Sequence, residues 1–218
     1  MRRPAERAHD EFDGDAAERV RQQIAMLAAR LIAEDGLDYA GAKRRAAKEL
    51  FGGQRIPGDA MPTNTVVEAE VRAYQELFQS DSQPRRLHFL RQVALEVMEK
   101  LAPFNPYLVG AVLNGTAGEH TDVHLQLYCD SAKDVEIFLI NQGIDIDVEE
   151  GGNGHGGKLP RCAEEVIQFL WRSRGLSPEG IHLSIYHVND LRGARVGERK
   201  SERYDLAEVR QLVKENNE

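Results

Sequence analysis

Residues 110–127 read Gly110-Ala-Val-Leu-Asn-Gly-Thr-Ala-Gly-Glu-His-Thr-Asp122-Val-His124-Leu-Gln-Leu127, which is a glycine turn followed by an alternating strand. Side chains point to opposite faces of a strand in turn, so one face of this segment is apolar and the other is polar. The apolar face consists of Val123, Leu125 and Leu127. If the extension starts early, the polar face consists of His120, Asp122, His124 and Gln126. We expect the chemistry of the protein on this polar face.

The same segment resembles the signature of the DNA polymerase β-like nucleotidyltransferases, in which a Gly-Ser turn precedes a short helix and a Ser-Asp-x-Asp strand. The matching positions are Gly110 and Ala111 for the Gly-Ser pair, Gly115 for a glycine frequent in the short helix, and Thr121, Asp122 and His124 for the Ser and the two Asp. The spacing fits without a gap, and the resemblance covers about residues 110–126.

The resemblance implies a site for a nucleoside triphosphate and a divalent metal, magnesium or manganese. Gly110, Ala111, Gly115 and Thr121 would bind the nucleotide, Asp122 would be a catalytic metal ligand, and His124 would be a further metal ligand. Two positions depart from the family pattern, because Ala111 lacks the hydroxyl directed at a phosphate and His124 replaces a carboxylate. Magnesium prefers oxygen ligands, whereas imidazole suits transition ions. The resemblance is therefore to the scaffold first, and catalysis is expected to be altered or lost.

In this family a third carboxylate comes from a later strand. The segment 144–148, Ile-Asp-Ile-Asp-Val, carries Asp145 and Asp147 opposite its apolar residues. We take Asp147 as the catalytic and metal-binding residue and Asp145 as the next choice. A second alignment uses residues 180–186 as the later strand, and the carboxylate position then holds Ser184 or His182. In that case the site has lost two of its three acids.

The pattern along the chain predicts an α+β protein. Residues 1–13 are read as a flexible tail, residues 14–83 as a helical N-terminal region, and residues 84–218 as a small nucleotidyltransferase-like mixed-sheet domain with flanking helices. Apolar residues recur at helical spacing from about 16 to 33, and Asp38 caps a second helix. Thr65 begins a capping box for a third helix, and a fourth begins near Pro84.

Beyond Pro106 the pattern changes to short alternating runs, which predict strands at 107–113, 123–128, 144–148 and 181–188. A helix is expected from about Ser131, and another over 204–214. The segment 163–172 is predicted as a helix, because Val166, Ile167, Leu170 and Trp171 repeat at helical spacing, and a strand is favoured only slightly less. The loop 152–158 nearly spells a phosphate-binding loop, but Leu159 and Pro160 follow its lysine where Ser or Thr is needed.

Composition narrows the class of protein. No apolar run in the 218 residues approaches the roughly 20 needed to cross a bilayer, and we expect a cytoplasmic protein. The net charge of -8 argues against a surface that coats nucleic acid as a whole, because such binding depends on Lys and Arg neutralising phosphates. The best local basic patch is Lys43 to Arg45 with Lys48, whose positions spread around a helix.

Two functions follow as hypotheses. The first is an enzyme that transfers a nucleotidyl group from a nucleoside triphosphate to an unknown acceptor, a small molecule, an RNA or a protein. The second is a catalytically inactive protein of the same scaffold that binds a nucleotide, an RNA or a protein partner, which Ala111 and His124 favour. A third and weaker possibility is a metal-dependent hydrolase that uses His120, Asp122 and His124.

Overall fold

The computed structural model describes residues 4–52, 56, 60–150, 163, 165–173, 177–193 and 203–215. The chain divides into two compact units. The first unit comprises Met1–Gln83 with Gly118–His120, and the second comprises Pro84–Ala117 with Thr121–Glu218. The first unit is helical and the second contains a mixed sheet, so the protein is α+β.

The first unit contains helices α1 (Pro4–Asp35), α2 (Tyr39–Phe51) and α3 (Asn64–Phe78). Small and branched apolar residues repeat at helical spacing on their facing sides, which lets the three helices bury one core. This core contains Ile24, Ala25, Ala28, Ala29, Leu31, Ala42, Ala46, Val67 and Val71. The cap predicted for α2 is confirmed, because Asp38 Oδ1 accepts a hydrogen bond from the Gly41 amide at 2.8 Å.

Two helix starts differ from the predictions. The segment predicted as a tail is helical from Pro4, since proline fits the first turn of a helix and the Ala, Glu and Arg residues that follow favour one. The capping box at Thr65 is wrong, because Thr65 already lies inside α3. Thr63 is the cap instead: its backbone is extended, and its hydroxyl accepts a hydrogen bond from the Val66 amide at 3.4 Å.

The second unit is built around five strands in the order β1-β2-β5-β4-β3. The strands are β1 (Pro106–Val109), β2 (Val123–Cys129), β3 (Ile146–Glu150), β4 (Glu165–Trp171) and β5 (Glu179–His187). The helices are α4 (Gln83–Lys100), α5 (Ala111–Asn114), α6 (Ala132–Asn141), α7 (Asp190–Gly193) and α8 (Leu206–Glu215). Strands β2 and β5 run parallel, and every other pair is antiparallel.

Two segments of this unit needed the structure to assign them. The predicted strand 107–113 is a strand only as far as Val109, because Gly110 turns the chain into α5. The helix favoured for residues 163–172 is wrong, because Glu165–Trp171 form strand β4. Its inward residues Ile167 and Phe169 are buried, which is the alternation of a sheet with one covered face.

One face of the sheet is the core of the second unit. It buries Val123, Leu125, Leu127, Ile181, Leu183 and Ile185 against the apolar side of α4, with Leu90, Ala94, Val97 and Met98. Burial of each large aliphatic side chain contributes about 1.5–3 kcal/mol, so this face fixes the register of the strands. The polar residues of β2 and β5 must then lie together on the opposite face. None of the helices in the described ranges is both long and apolar enough to span a membrane.

Candidate functional site

Four polar residues form one row across the sheet. His124 on β2 pairs with His182 on β5, His182 pairs with Gln168 on β4, and Gln168 pairs with Asp147 on β3. Paired residues in neighbouring strands point to the same face. Strands are about 4.8 Å apart, so Asp147 stands about 14 Å from His124, across three strand spacings.

The strand order therefore separates two residues that the sequence analysis had put together. Asp147 lies on β3, at the far side of the sheet, and the structure does not bring it to Asp122. His182 lies on β5, which is the parallel neighbour of β2. The second alignment, in which His182 or Ser184 takes the third position, matches this arrangement. Asp145 precedes β3 and is equally remote.

Asp122 and His182 form a hydrogen-bonded pair. Nε2 of His182 lies 2.9 Å from Oδ2 of Asp122, and the side chains are 25% and 46% exposed respectively. The carboxylate reaches His182 by leaning over Gly180, where a Cβ atom would overlap it. The hydrogen bond between Asp122 and His182 therefore requires a glycine at position 180.

His124 completes the group by stacking on His182. The two ring centroids are 4.8 Å apart and the ring planes differ by 21°. His124 reaches solvent, but the protein around its ring lowers its pKa below the usual value, first by desolvation and then through the nearby His182. Asp122 opposes this change more weakly. His124 is therefore a neutral imidazole at pH 7, which can accept one hydrogen bond and donate another.

The Gly110 turn lies beside His124. Gly110 has φ 74° and ψ -153°, a backbone conformation that is essentially restricted to glycine. A Cβ atom at Gly110 would lie 3.9 Å from the Cβ atom of His124. The backbone at this position can consequently approach a ligand that contacts the His124 ring.

Backbone hydrogen bonds hold the chain after this turn in one conformation. The carbonyl of Ala111 accepts the amides of Gly115, Thr116 and Ala117 at 3.0, 3.0 and 3.1 Å. Oδ1 of Asn114 also accepts the Thr116 amide at 3.0 Å and its hydroxyl at 2.8 Å. Ala111 and Gly115 thus act through their backbone, since Gly115 ends α5 with φ 90°.

Arg91 donates hydrogen bonds from the buried side to the backbone that follows the same turn. It is 8% exposed, its Nε donates to the carbonyl of Val112 at 3.1 Å, and an Nη donates to the carbonyl of Leu113 at 3.2 Å. Burial lowers the pKa of the Arg91 guanidinium, which is the expected direction for a desolvated cation. Carbonyl groups in the last turn of a helix lack amide partners within that helix, and the Arg91 guanidinium donates to two of them in α5.

The remaining predicted residues lie outside this group. Thr121 is half-buried immediately before Asp122. His120 belongs to the first unit and packs on Gly36, where a Cβ atom would lie 2.5 Å from the Cβ atom of His120. The loop 152–158 lies outside the described residues. In the predicted basic patch, Lys43 donates to Asn64 and Arg45 pairs with Asp35 and Glu49.

Sequence reasoning missed two residues of this site, Arg91 and Gly180. A lone arginine in a helix gives no signal of its own, because its partners are backbone carbonyls more than twenty residues away. Gly180 has a weak signal, since a glycine at the start of an alternating strand marks close approach of another group. His182 was named only through the second alignment.

The site does not fit the magnesium that the resemblance implies. Among the described residues, no three His, Cys, Asp or Glu side chains are grouped so that they could hold a metal ion. Asp122 is the one carboxylate in the group of Asp122, His124 and His182, and its Oδ2 is bonded to His182. The other two side chains are imidazoles. Magnesium requires a near-octahedral shell of oxygens, so we derive no step through this ion.

Comparison with known proteins gives no relative. No protein-family model matches the chain, and no curated protein or solved structure matches it. The residues and their geometry are thus the basis for assigning a function.

Proposed function

We propose that this protein binds a nucleotide on the open face of its sheet, beside the Gly110 turn, and does not transfer a nucleotidyl group. The observation that carries the proposal is the pairing of Asp122 with His182. An imidazole occupies the place on β5 where metal-dependent transfer would need a carboxylate.

The charges around Asp122 disfavour transfer. Two-metal phosphoryl transfer clamps both the attacking and the leaving oxygen, which needs several carboxylates around the ions. Here Asp122 is hydrogen-bonded to His182, and the His182 ring stacks on neutral His124, so one negative charge is left to hold two dications. Asp147 does not add to that charge, because it is about 14 Å away across three strand spacings.

The preorganised backbone of the Gly110 turn favours ligand binding. The Gly110 turn is fixed by three amides on the Ala111 carbonyl and by buried Arg91, and it adjoins an exposed imidazole. Groups held in one conformation bind a ligand without losing further conformational entropy. The resemblance of residues 110–126 to nucleotidyltransferases makes a nucleotide our choice of ligand. The cytoplasmic location expected from the sequence stays a prediction.

The experiment measures transfer and binding on the same samples. Each γ-labelled nucleoside triphosphate is incubated with the full chain and magnesium or manganese, and release of labelled pyrophosphate is measured beside thermal unfolding. We expect no release, and a rise in Tm with at least one nucleotide that persists in EDTA, because a ligand of the native state must stabilise it.

The double variant His124→Asp with His182→Asp is the positive control for magnesium-dependent binding. Three carboxylates on adjacent strands should make the nucleotide-dependent rise in Tm depend on magnesium, which the wild type should not show. Metal-dependent pyrophosphate release by the wild type that Asp122→Ala abolishes would show an active transferase and refute the proposal. No stabilisation by any nucleotide would refute the binding function.

A further inference from the structure

A second cluster of polar and aromatic side chains lies on the open face, away from the aspartate–histidine pair. In it, two tyrosine rings hold Arg203, which belongs to the segment just before α8. The Cζ atom of Arg203 is 5.0 Å from the ring centroid of Tyr107 on β1 and 5.3 Å from that of Tyr128 on β2. The neighbouring Tyr204 exchanges two backbone hydrogen bonds with Leu108, of 2.8 and 3.1 Å. The rings and this bridge together fix the Arg203 guanidinium over the sheet.

The hydrogen bonds of this cluster run in one direction and leave donors over. Nη1 of Arg203 donates to the Tyr128 hydroxyl at 2.8 Å, and that hydroxyl donates to Oε1 of Gln126 at 3.0 Å. The Gln126 carbonyl is thereby engaged, so its Nε2 group is the end that can bind something else. Ser184 lies beside Gln126, because the two residues pair across β2 and β5 and point to the same face. In the described part of the chain, neither Nε2 of Gln126 nor the Ser184 hydroxyl has a hydrogen-bond partner.

The positive charge of half-buried Arg203 has no carboxylate partner among the described residues. By contrast, Arg86 holds Glu179 through two hydrogen bonds of 2.7 and 2.6 Å, and Arg91 donates to two backbone carbonyls. A chain with 36 acidic and 28 basic residues has carboxylates to spare. Aromatic rings attract a cation without neutralising it. A guanidinium that is fixed in place and faces no carboxylate is therefore suited to an anion from outside the chain.

We propose that Arg203, Gln126 and Ser184 bind a phosphate group. The guanidinium supplies the charge in a planar fork of donors, and the amide and the hydroxyl add neutral donors beside it. A phosphate monoester presents three strong acceptor oxygens, which suit donors on three separate residues better than the two oxygens of a carboxylate do. The site goes beyond the proposed function, because none of the three residues is a position that the resemblance matches.

The position of the phosphate site orients any nucleotide that binds to the same face. Tyr128, which holds Arg203, is four residues beyond His124 on β2, so it lies about 13 Å along the strand from the imidazole pair. Asp122 lies at the other end of that pair. Phosphates would be attracted to Arg203 and repelled by Asp122. This orientation rests on the proposed function, whereas the phosphate site does not.

The test is isothermal titration calorimetry of the full chain with pyrophosphate, at low salt and in buffer freed of metal ions. Citrate, a carboxylate ligand of similar charge, is titrated beside it. We expect pyrophosphate to bind the wild type and citrate to bind it more weakly. Arg203→Gln should weaken pyrophosphate binding about tenfold or more, because it removes a charge-assisted hydrogen bond. Arg210→Gln is the matched control, since exposed Arg210 on α8 pairs with Glu99, and it should leave the affinity unchanged.

A second variant separates binding from folding, because Arg203 also fixes the segment before α8. Ser184→Ala removes a hydroxyl that has no partner among the described residues. It should leave the Tm of the free protein unchanged and weaken pyrophosphate binding severalfold.

The phosphate site would be overturned if pyrophosphate does not bind the wild type, or if citrate binds equally tightly. An affinity for pyrophosphate that is unchanged in Arg203→Gln or in Ser184→Ala would also overturn it. A nucleotide that binds the chain while pyrophosphate does not would leave the proposed function in place. Pyrophosphate binding without nucleotide binding would refute the proposed function alone.

Discussion

The centre and the edge of the sheet carry similar sequences on the same face but differ in what surrounds them. At the centre, Asp122 on the β2 side bonds to His182 on β5, beside a fixed glycine turn. At the edge, Asp147 on β3 is exposed and pairs with Gln168 across the sheet. Both aspartates lie on the polar face, opposite the apolar residues of the adjoining strand. The central aspartate has a hydrogen-bonded partner in His182, because β5 lies directly beside β2 in the sheet.

The largest expected effect is the loss of stability when Arg91, which holds the glycine turn at the centre of the sheet, is replaced. Arg91→Met removes a buried cation and leaves the carbonyls of Val112 and Leu113 without their donors. We expect the free energy of unfolding to fall by about 2–4 kcal/mol, since each lost charged hydrogen bond in a buried place costs about 1–3 kcal/mol. Urea denaturation followed by circular dichroism measures this loss.

The control for this variant is Arg85→Met, because Arg85 is exposed on the same helix. Its effect should stay within about 0.5 kcal/mol. Equal losses for the two variants would mean that Arg91 does not hold the turn.

A methyl group at position 180 should disrupt the centre and leave the edge intact. Gly180→Ala places its Cβ in the Asp122 carboxylate, so the carboxylate must move and lose its bond to His182. We expect a loss of about 1–3 kcal/mol in unfolding free energy, as for other overpacked positions. Gln168→Ala, on the neighbouring strand β4 where Gln168 pairs with His182, should cost less than about 0.5 kcal/mol. A Gly180→Ala protein as stable as the wild type would argue against the close approach of Asp122.

The ionisation of His124 offers a finer comparison. Its pKa should lie below about 6.5, the usual value for histidine. His182→Asn should raise it, because His182 contributes to lowering it, and Asp122→Asn should lower it further. Asp147→Asn, about 14 Å away, should leave it unchanged. Titration of the imidazole signals by NMR measures all four, and a His124 pKa above 6.5 would contradict the desolvated ring.

The smallest expected effect is on stability against pH. Because folding lowers the pKa of His124, the unfolded chain binds more protons between that lowered value and about 6.5. The stability that His124 contributes is therefore complete above about pH 6.5 and declines as the pH falls through the interval. His124→Gln should flatten the decline in unfolding free energy between pH 7 and 5. An unchanged slope would mean that His124 does not contribute.

Local structure that depends on alternating apolar residues or on a capping residue is predicted correctly from the sequence. Features that depend on which segments lie side by side in the fold are not. The apolar face of β2 and the Asp38 cap follow from local pattern, and both are found. The acidic side chain favours Asp147 over His182 in the sequence, because strand order cannot be read from it. Nothing local to β3 shows that two strands separate it from β2. Arg91 is invisible in the sequence for a similar reason, since its partners are carbonyls brought near by folding.

The most direct test of a metal-free site at the centre of the sheet follows the ring signals of the seven histidines while each nucleoside triphosphate is added in EDTA. We expect His124 and His182 to change chemical shift together and saturably in the wild type. The same titration of Asp147→Asn should give the same affinity, because the edge of the sheet takes no part in binding. Ligand binding that leaves His124 and His182 unperturbed, or that requires magnesium, would contradict a metal-free site at the centre of the sheet.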